Sequence, residues 1–209
     1  MENFTYEAKG ENGKYETYEW DNVWIEHAGD LSLNRILYIG DSISCASRRV
    51  ATDIAKGEFY FDGFGTSKAL DNPYFKDSIK LFSVQEIRRD IVIFNNGLHG
   101  WHLNDETEYG CFYEEMIKFL LTEFENTPIA IVLTTHVRNE EREHRVIRRN
   151  TVANEIANKY GLPVIDLYTS ALESDKLLLS DGVHFTDEGY KLLAEKIVHS
   201  ISEKFPDIV

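Results

Sequence analysis

A serine that acts as a nucleophile needs a rigid element that presents its hydroxyl, a base within hydrogen-bond reach, and a group that orients the base. Ser42 meets the first need. It follows Gly40-Asp41 at the end of the run Ile36-Leu-Tyr-Ile39, which is too short for a helix core and rich in β-formers. In an open α/β sheet, ligands bind at the carboxyl ends of strands, where such a hydroxyl is placed. The base and its orienter are expected far along the chain, in Asp181-Gly-Val-His184. Asp and His three apart on a loop can lie side by side, so that Asp181 accepts a hydrogen bond from one ring nitrogen of His184. The other nitrogen then faces Ser42. Alone, Asp-x-x-His is the composition of an ordinary turn. Its place between a late strand and the last helix is what gives it weight.

The elements that must position these groups begin at Arg35. Strand patterns at 36–39, 58–61, 90–94, 128–134 and 163–167 alternate with helical patterns at 43–56, 78–89, 108–126, 140–160 and 187–204. Gly161 reads as a helix cap. Five short apolar strands separated by helices predict an α/β fold with a mostly parallel five-stranded sheet covered on both faces. The charge run Glu140-Glu-Arg-Glu-His-Arg145 reads as a solvated helix face. Residues 1–34 read as an N-terminal extension packed on a main domain of residues 35–209. The extension is polar but carries Phe4, Tyr6, Tyr15, Tyr18, Trp20 and Trp24, expected to bury themselves on that domain. Gly10-Glu-Asn-Gly13 is a turn signal between two possible hairpin strands, and the spacing of Trp20 and Trp24 fits one helical face.

Composition narrows the function classes. The chain has 209 residues, 43% of them hydrophobic, with a net charge of −14. That is enough for one sizeable core, and the acidity disfavours nucleic acid and anionic membrane surfaces as partners. No apolar run is long enough to span a bilayer, and Met1-Glu-Asn-Phe-Thr5 has neither the basic nor the apolar region of a signal peptide. A cytoplasmic location is therefore expected. Cys45 and Cys111 have no metal or redox spacing, so both are expected as free buried thiols, Cys45 behind the nucleophile turn. No His, Cys or carboxylate cluster has metal spacing, and no metal or cofactor is expected.

Taken together, Gly40-Asp41-Ser42 and Asp181-Gly-Val-His184 resemble the first and last sequence blocks of the SGNH (GDSL-type) hydrolases. The resemblance covers about residues 35–204. It implies a flavodoxin-like three-layer α/β/α fold and ester hydrolysis through an acyl-serine intermediate, with Ser42, His184 and Asp181 catalytic and Asp41 shaping the turn. It also implies an oxyanion hole built from the Ser42 backbone N–H, a glycine N–H after the second strand, and an asparagine amide after the third. For the glycine, Gly65 is the expectation, with Gly63 and Ser67 as alternatives in register. For the amide, the chain has Asn95-Asn-Gly-Leu-His-Gly100, so aligning on Gly97 puts His99 at the asparagine position. His99 is the expected donor, with Asn96 orienting the loop or donating in its place.

Trp101 and His102 are expected at the mouth of the site, and Arg138 near a carboxylate or sugar oxygen. The substrate expected is a small-molecule or glycan ester, above all an acetyl ester. An idle carbohydrate-binding relative and a lipid or thioester hydrolase are the competing readings. Oligomeric state is not legible in the sequence.

Overall fold

The computed structural model describes residues 15–86 and 88–208. Among them a six-stranded sheet forms from β1 (Asp21–Trp24), β2 (Asn34–Gly40), β3 (Phe59–Thr66), β4 (Ile91–Phe94), β5 (Ile129–Val132) and β6 (Val164–Ile165). The order across the sheet is β1-β3-β2-β4-β5-β6. The five strands from β2 onward are parallel, and β1 adds an antiparallel edge to β3. Without that edge the order is that of flavodoxin, whose ligands sit at the carboxyl ends of the strands where the winding reverses. Here the reversal falls between β2 and β4, and Ser42 follows β2.

The helices are α1 (Ser42–Ile54), α2 (Phe75–Ser83), α3 (Glu106–Glu123), α4 (Glu140–Tyr160), α5 (Leu167–Glu173) and α6 (Asp187–Lys204). The alternation of side chains along β2 sorts them into layers. Ile36 and Tyr38 pack with Ala51 of α1, Ala171 of α5 and Ile197 of α6. Leu37 and Ile39 face the other way, against Ile79 of α2, Ile117 of α3 and Ile156 of α4. All four strand residues are fully or almost fully buried, as strands covered on both faces require. The three-layer α/β/α architecture is thus present, and α6 has the bounds that its helical pattern gives. Gly161 caps α4 in the left-handed region at φ +66°.

Three differences from the sequence reading matter for the site. β3 runs on to Thr66, so Gly63 and Gly65 lie inside a strand rather than in a turn after it. Small residues are needed there because α1 packs directly on the sheet: a Cβ at Gly65 would lie 2.2 Å from Cys45 Sγ, and one at Gly63 would lie 2.2 Å from Arg48 Nη1. β1 comes from the N-terminal extension, and its residues are all exposed, so no burial pattern announces it. Trp20 and Trp24 accordingly share no helix. Trp24 is exposed, and Trp20 borders the cavity described below. Finally, Cys111 is exposed rather than buried. The turn at Gly10-Glu-Asn-Gly13 lies outside the described residues.

Candidate active site

The loop that carries Asp181 and His184 is organised by its own residues. Asp181 Oδ1 accepts the Val183 and His184 N–H groups, each at 2.9 Å. Gly182 sits at φ +70°, a conformation glycine adopts without steric cost. Its N–H donates to the Leu179 carbonyl and its own carbonyl accepts the Arg138 N–H. The turn leaves Asp181 Oδ2 free to accept from His184 Nδ1 at 2.8 Å. The second ring nitrogen, Nε2, lies 2.8 Å from Ser42 Oγ. A carboxylate that accepts from Nδ1 fixes the neutral ring with its lone pair on Nε2, so the Ser42 hydroxyl donates to it. Burial pushes the Asp181 carboxyl up, but the two backbone N–H groups and the His184 ring outweigh it, holding the group below the usual carboxylate range.

At the other end of this chain of bonds, Ser42 is the first residue of α1, where a backbone N–H has no partner within the helix. Asp41 is the N-cap, accepting the Ile43 N–H at 2.9 Å. Cys45 lies one turn on, against Gly65, and burial pushes its thiol up. It stays protonated near neutral pH and does not compete with Ser42 as a nucleophile.

A cavity of about 710 Å³ opens beside Ser42. Of the residues singled out by sequence, it is lined by Ser42, Asp181, His184, His99 and Trp101, but not by Gly65, Asn96 or Arg138. Each exception has a physical reason. The antiparallel ladder of β1 and β3 alternates its bonded pairs, and Ser67 N–H donates to the Trp20 carbonyl. Two residues back in the same register, Gly65 therefore directs its N–H at Asn22 rather than at the cavity. The alternative donor Ser67 is used similarly, its hydroxyl accepting from Trp20 N–H and donating to Glu19. Asn96 is 4% exposed and donates to the Lys68 carbonyl, fixing the loop as one reading of it supposed. Arg138 binds Asp175 and the Leu179 carbonyl, and so braces the loop of Asp181 and His184 instead of meeting a ligand.

His99 departs from expectation in its protons. Its Nδ1 lies 3.1 Å from Glu16 Oε1. An ionised carboxylate only accepts, so the proton of the neutral ring is on Nδ1 and Nε2 carries a lone pair. Neutral His99 thus has no N–H to offer an oxyanion. His102, expected at the mouth, is turned to Asp71 at 3.0 Å and does not line the cavity.

Four cavity residues come from the extension: Glu16, Asp21 and Asn22 carried no sequence signal, and Trp20, expected to pack on the main domain, lines the cavity. Asn22 Oδ1 accepts from Arg48 Nη2, and Arg48 is 4% exposed. The bond uses the acceptor end of the amide, and among the described residues no hydrogen bond reaches its NH₂. Asp21 pairs with Lys68 Nζ at 2.6 Å. The charge run of α4, expected to be solvated, partly serves this site. Arg145 donates to the Trp101 and Leu103 carbonyls, each at 2.7 Å. Buried Arg149 clamps the carbonyls of Gly97, His99 and Gly100. Arg142, Arg145 and Arg149 also lie within cation–π range of the Trp101 ring. No group of His, Cys, Asp and Glu among the described residues has the arrangement of a metal site. No helix among them is long and apolar enough to cross a membrane.

A serine, histidine and aspartate joined in this order at the carboxyl end of a flavodoxin-like sheet define a class: ester hydrolases of α/β/α fold. No family model matches the chain. Individual proteins do. The isoamyl acetate-hydrolyzing esterase of Schizosaccharomyces pombe is 30% identical over 209 residues, covering 84% of this chain and 78% of that protein. The crystal structure of an acetyl xylan esterase superposes with a TM-score of 0.65 at 18% identity, over 80% of this chain and 99% of its own. A lipolytic G-D-S-L family member from Veillonella parvula gives 0.62 at 18% identity, over 84% and 99%. At that identity the two structures speak for the fold. The yeast esterase carries the assignment, and the chain belongs to the SGNH (GDSL-type) family and is a carboxylic ester hydrolase.

Proposed function

We propose that this hydrolase cleaves esters of short acyl groups, acetyl foremost, by way of an acyl-serine at Ser42. The observation that carries the proposal is the unbroken chain from Asp181 Oδ2 through the His184 ring to Ser42 Oγ, with both links at 2.8 Å. In the first half-reaction Oγ bonds to the acyl carbon as His184 Nε2 takes its proton. The tetrahedral intermediate then expels the alcohol, which leaves with that proton. In the second half-reaction water attacks the acyl-serine, gives a proton to Nε2 and releases the acid, and the proton returns to Oγ. Asp181 orients the ring and stabilises the imidazolium in both halves.

The oxyanion needs donors that are in place before the reaction. The Ser42 N–H at the start of α1 is one. We assign the other to the Asn22 amide, whose NH₂ has no partner among the described residues and which borders the same cavity. It takes the place expected for His99. The preference for acetyl is supported by the names of the yeast esterase and of the acetyl xylan esterase. Trp101 offers an apolar face to the alcohol half. Hydrolysis of p-nitrophenyl acetate tests the reading directly. Ser42→Ala is expected to lower turnover by about 10³-fold or more and to abolish labelling by a fluorophosphonate. Equal rates for the two proteins overturn it.

A further inference from the structure

The cavity holds two imidazoles of like construction. His184 gives Nδ1 to Asp181, and Nε2 receives the Ser42 hydroxyl. His99 gives Nδ1 to Glu16, and within the described residues no hydrogen bond reaches its Nε2. The Glu16–His99 pair is well built. The two side chains are 8% and 14% exposed. Glu16 is held from behind, its N–H donating to Glu19 at 3.0 Å. The Trp20 ring meets the His99 ring edge-on at a centroid distance of 6.1 Å. The His99 carbonyl is tied to Arg149 at 2.8 Å, so neither the ring nor its backbone is free to swing. In the neutral ring this tautomer leaves Nε2 as an acceptor, on a side chain that lines the cavity.

An acceptor beside a reacting ester does nothing for the carbonyl oxygen, on which negative charge develops and which needs donors. It suits an O–H. Because the acyl group proposed is short and carries none, that hydroxyl belongs to the alcohol half. We propose that Glu16 and His99 form an acceptor subsite that reads a hydroxyl on the alcohol half of the ester, so that monoacyl esters of polyols are preferred over esters of plain alkyl alcohols. The idea rests on the esterase reading above but concerns substrate choice rather than chemistry. Here the rigid imidazole is a specificity element, held by a segment of the chain that lies outside the parallel sheet.

The test compares 2-hydroxyethyl acetate with ethyl acetate, which differ by the one hydroxyl. The wild-type protein is expected to favour the hydroxylated ester in kcat/KM by about 10-fold, the worth of one hydrogen bond. His99→Phe is expected to bring the ratio close to one, and Glu16→Gln, which no longer dictates the tautomer, to lower it part of the way. The ratio is read within each protein, so a general loss of activity does not disguise it. A wild-type ratio near one, or a ratio that His99→Phe leaves unchanged, overturns the subsite. So does an equal loss of about 10²-fold on both esters, which returns His99 to the oxyanion.

A second measurement does not depend on turnover. In Ser42→Ala protein, ¹⁵N NMR of the histidine rings at pH 8 is expected to show His99 protonated on Nδ1 alone. Its Nε2 resonance is expected to shift when glycerol is added, and not when propane is added to the same protein. A ring protonated at both nitrogens, or an unmoved Nε2, overturns the proposal. Loss of fluorophosphonate labelling in the wild-type protein, with this NMR behaviour intact, would strike the esterase reading and leave the subsite standing.

Discussion

The cavity is made from two stretches of chain that are built in opposite ways. The loop of Asp181 and His184 is local. One carboxylate accepts two N–H groups within three residues of itself and a ring nitrogen in the same turn. The stretch from Glu16 to Asn22 has little internal structure. Its partners include His99, Ser67, Lys68 and Arg48, between 26 and 83 residues away in sequence. A turn of the first kind is written in four consecutive residue types. A stretch of the second kind is fixed only when the rest of the domain has folded, because each contact must first offset the cost of closing a long loop. The first stretch carries the proposed base, and any fold that keeps the turn keeps His184 on Asp181. The second carries Asn22, the proposed oxyanion donor, and Glu16, which orients the acceptor proposed on His99.

The largest test of this division is Asn22. Asn22→Ala is expected to lower kcat by about 10²–10³-fold with KM nearly unchanged, the usual loss for one oxyanion donor. Asn22→Asp sharpens the point. It keeps an acceptor for Arg48, so the fold is expected to hold, yet it has no N–H to give and is expected to lose turnover to a similar degree. If Asn22→Asp turns over p-nitrophenyl acetate as fast as the native protein, the extension is only a wall and the oxyanion depends on other groups.

The asymmetry also explains what the sequence makes legible. Ser42, Asp181 and His184 can be read because each belongs to a short motif at the end of an apolar run, and the strand-helix alternation locates those runs. β2 and α6 are read closely for the same reason, as long buried patterns. β1 is not, since its four residues are exposed and it exists only by pairing with β3. The Gly63 and Gly65 turn is misread because glycine marks both a turn and a close approach, and here the approach of α1 to the sheet is the cause. Nothing at Glu16 or Asn22 distinguishes them from any polar residue of a loop. α5 (Leu167–Glu173) is missed because it is short, with only Leu167 and Ala171 buried.

The two stretches should also part company with pH. Asp181 is held below the usual carboxylate range, so what its ionised form contributes is complete above pH 3.8 and is lost only as pH falls through its lowered pKa. The extension leads into a different environment. Glu26 N–H donates to Asp62 Oδ1 at 2.8 Å, Asp62 pairs with buried Arg35, and Arg35 also holds the Asp30 carbonyl at 2.9 Å. Within the field of Arg35 and Asp62, burial pushes Glu86 up to about 7, despite its bond to Arg89. A carboxyl raised in the fold favours the protonated state. Its contribution is complete below about 4.5 and is lost as pH rises through about 7. Glu86→Gln removes that loss. Relative to the native protein it is expected to gain up to roughly 3 kcal/mol between pH 5 and pH 8, or about 5 °C or more in melting temperature. A difference that does not change with pH would show that Glu86 is ionised in the fold throughout.

The smallest effect is expected where the local turn is touched without removing a catalytic group. Gly182→Ala places a Cβ at φ +70°, 2.9 Å from Arg138 Cβ. The backbone strain is about 1–2 kcal/mol, and the crowding adds to it. Because Gly182 lies between Asp181 and His184, the strain is delivered to the turn that sets their distance. The variant is therefore expected to lose about that much stability and to lower kcat, while KM is kept. Arg138→Gly in the same chain removes the Cβ that causes the crowding but not the φ, so it should restore part of the stability and only part of kcat. Full recovery in the double variant would mean that the conformation of Gly182 is immaterial. Neither that conformation nor the Arg138 brace would then set the base, which would rest on the bonds that Asp181 makes within its own turn.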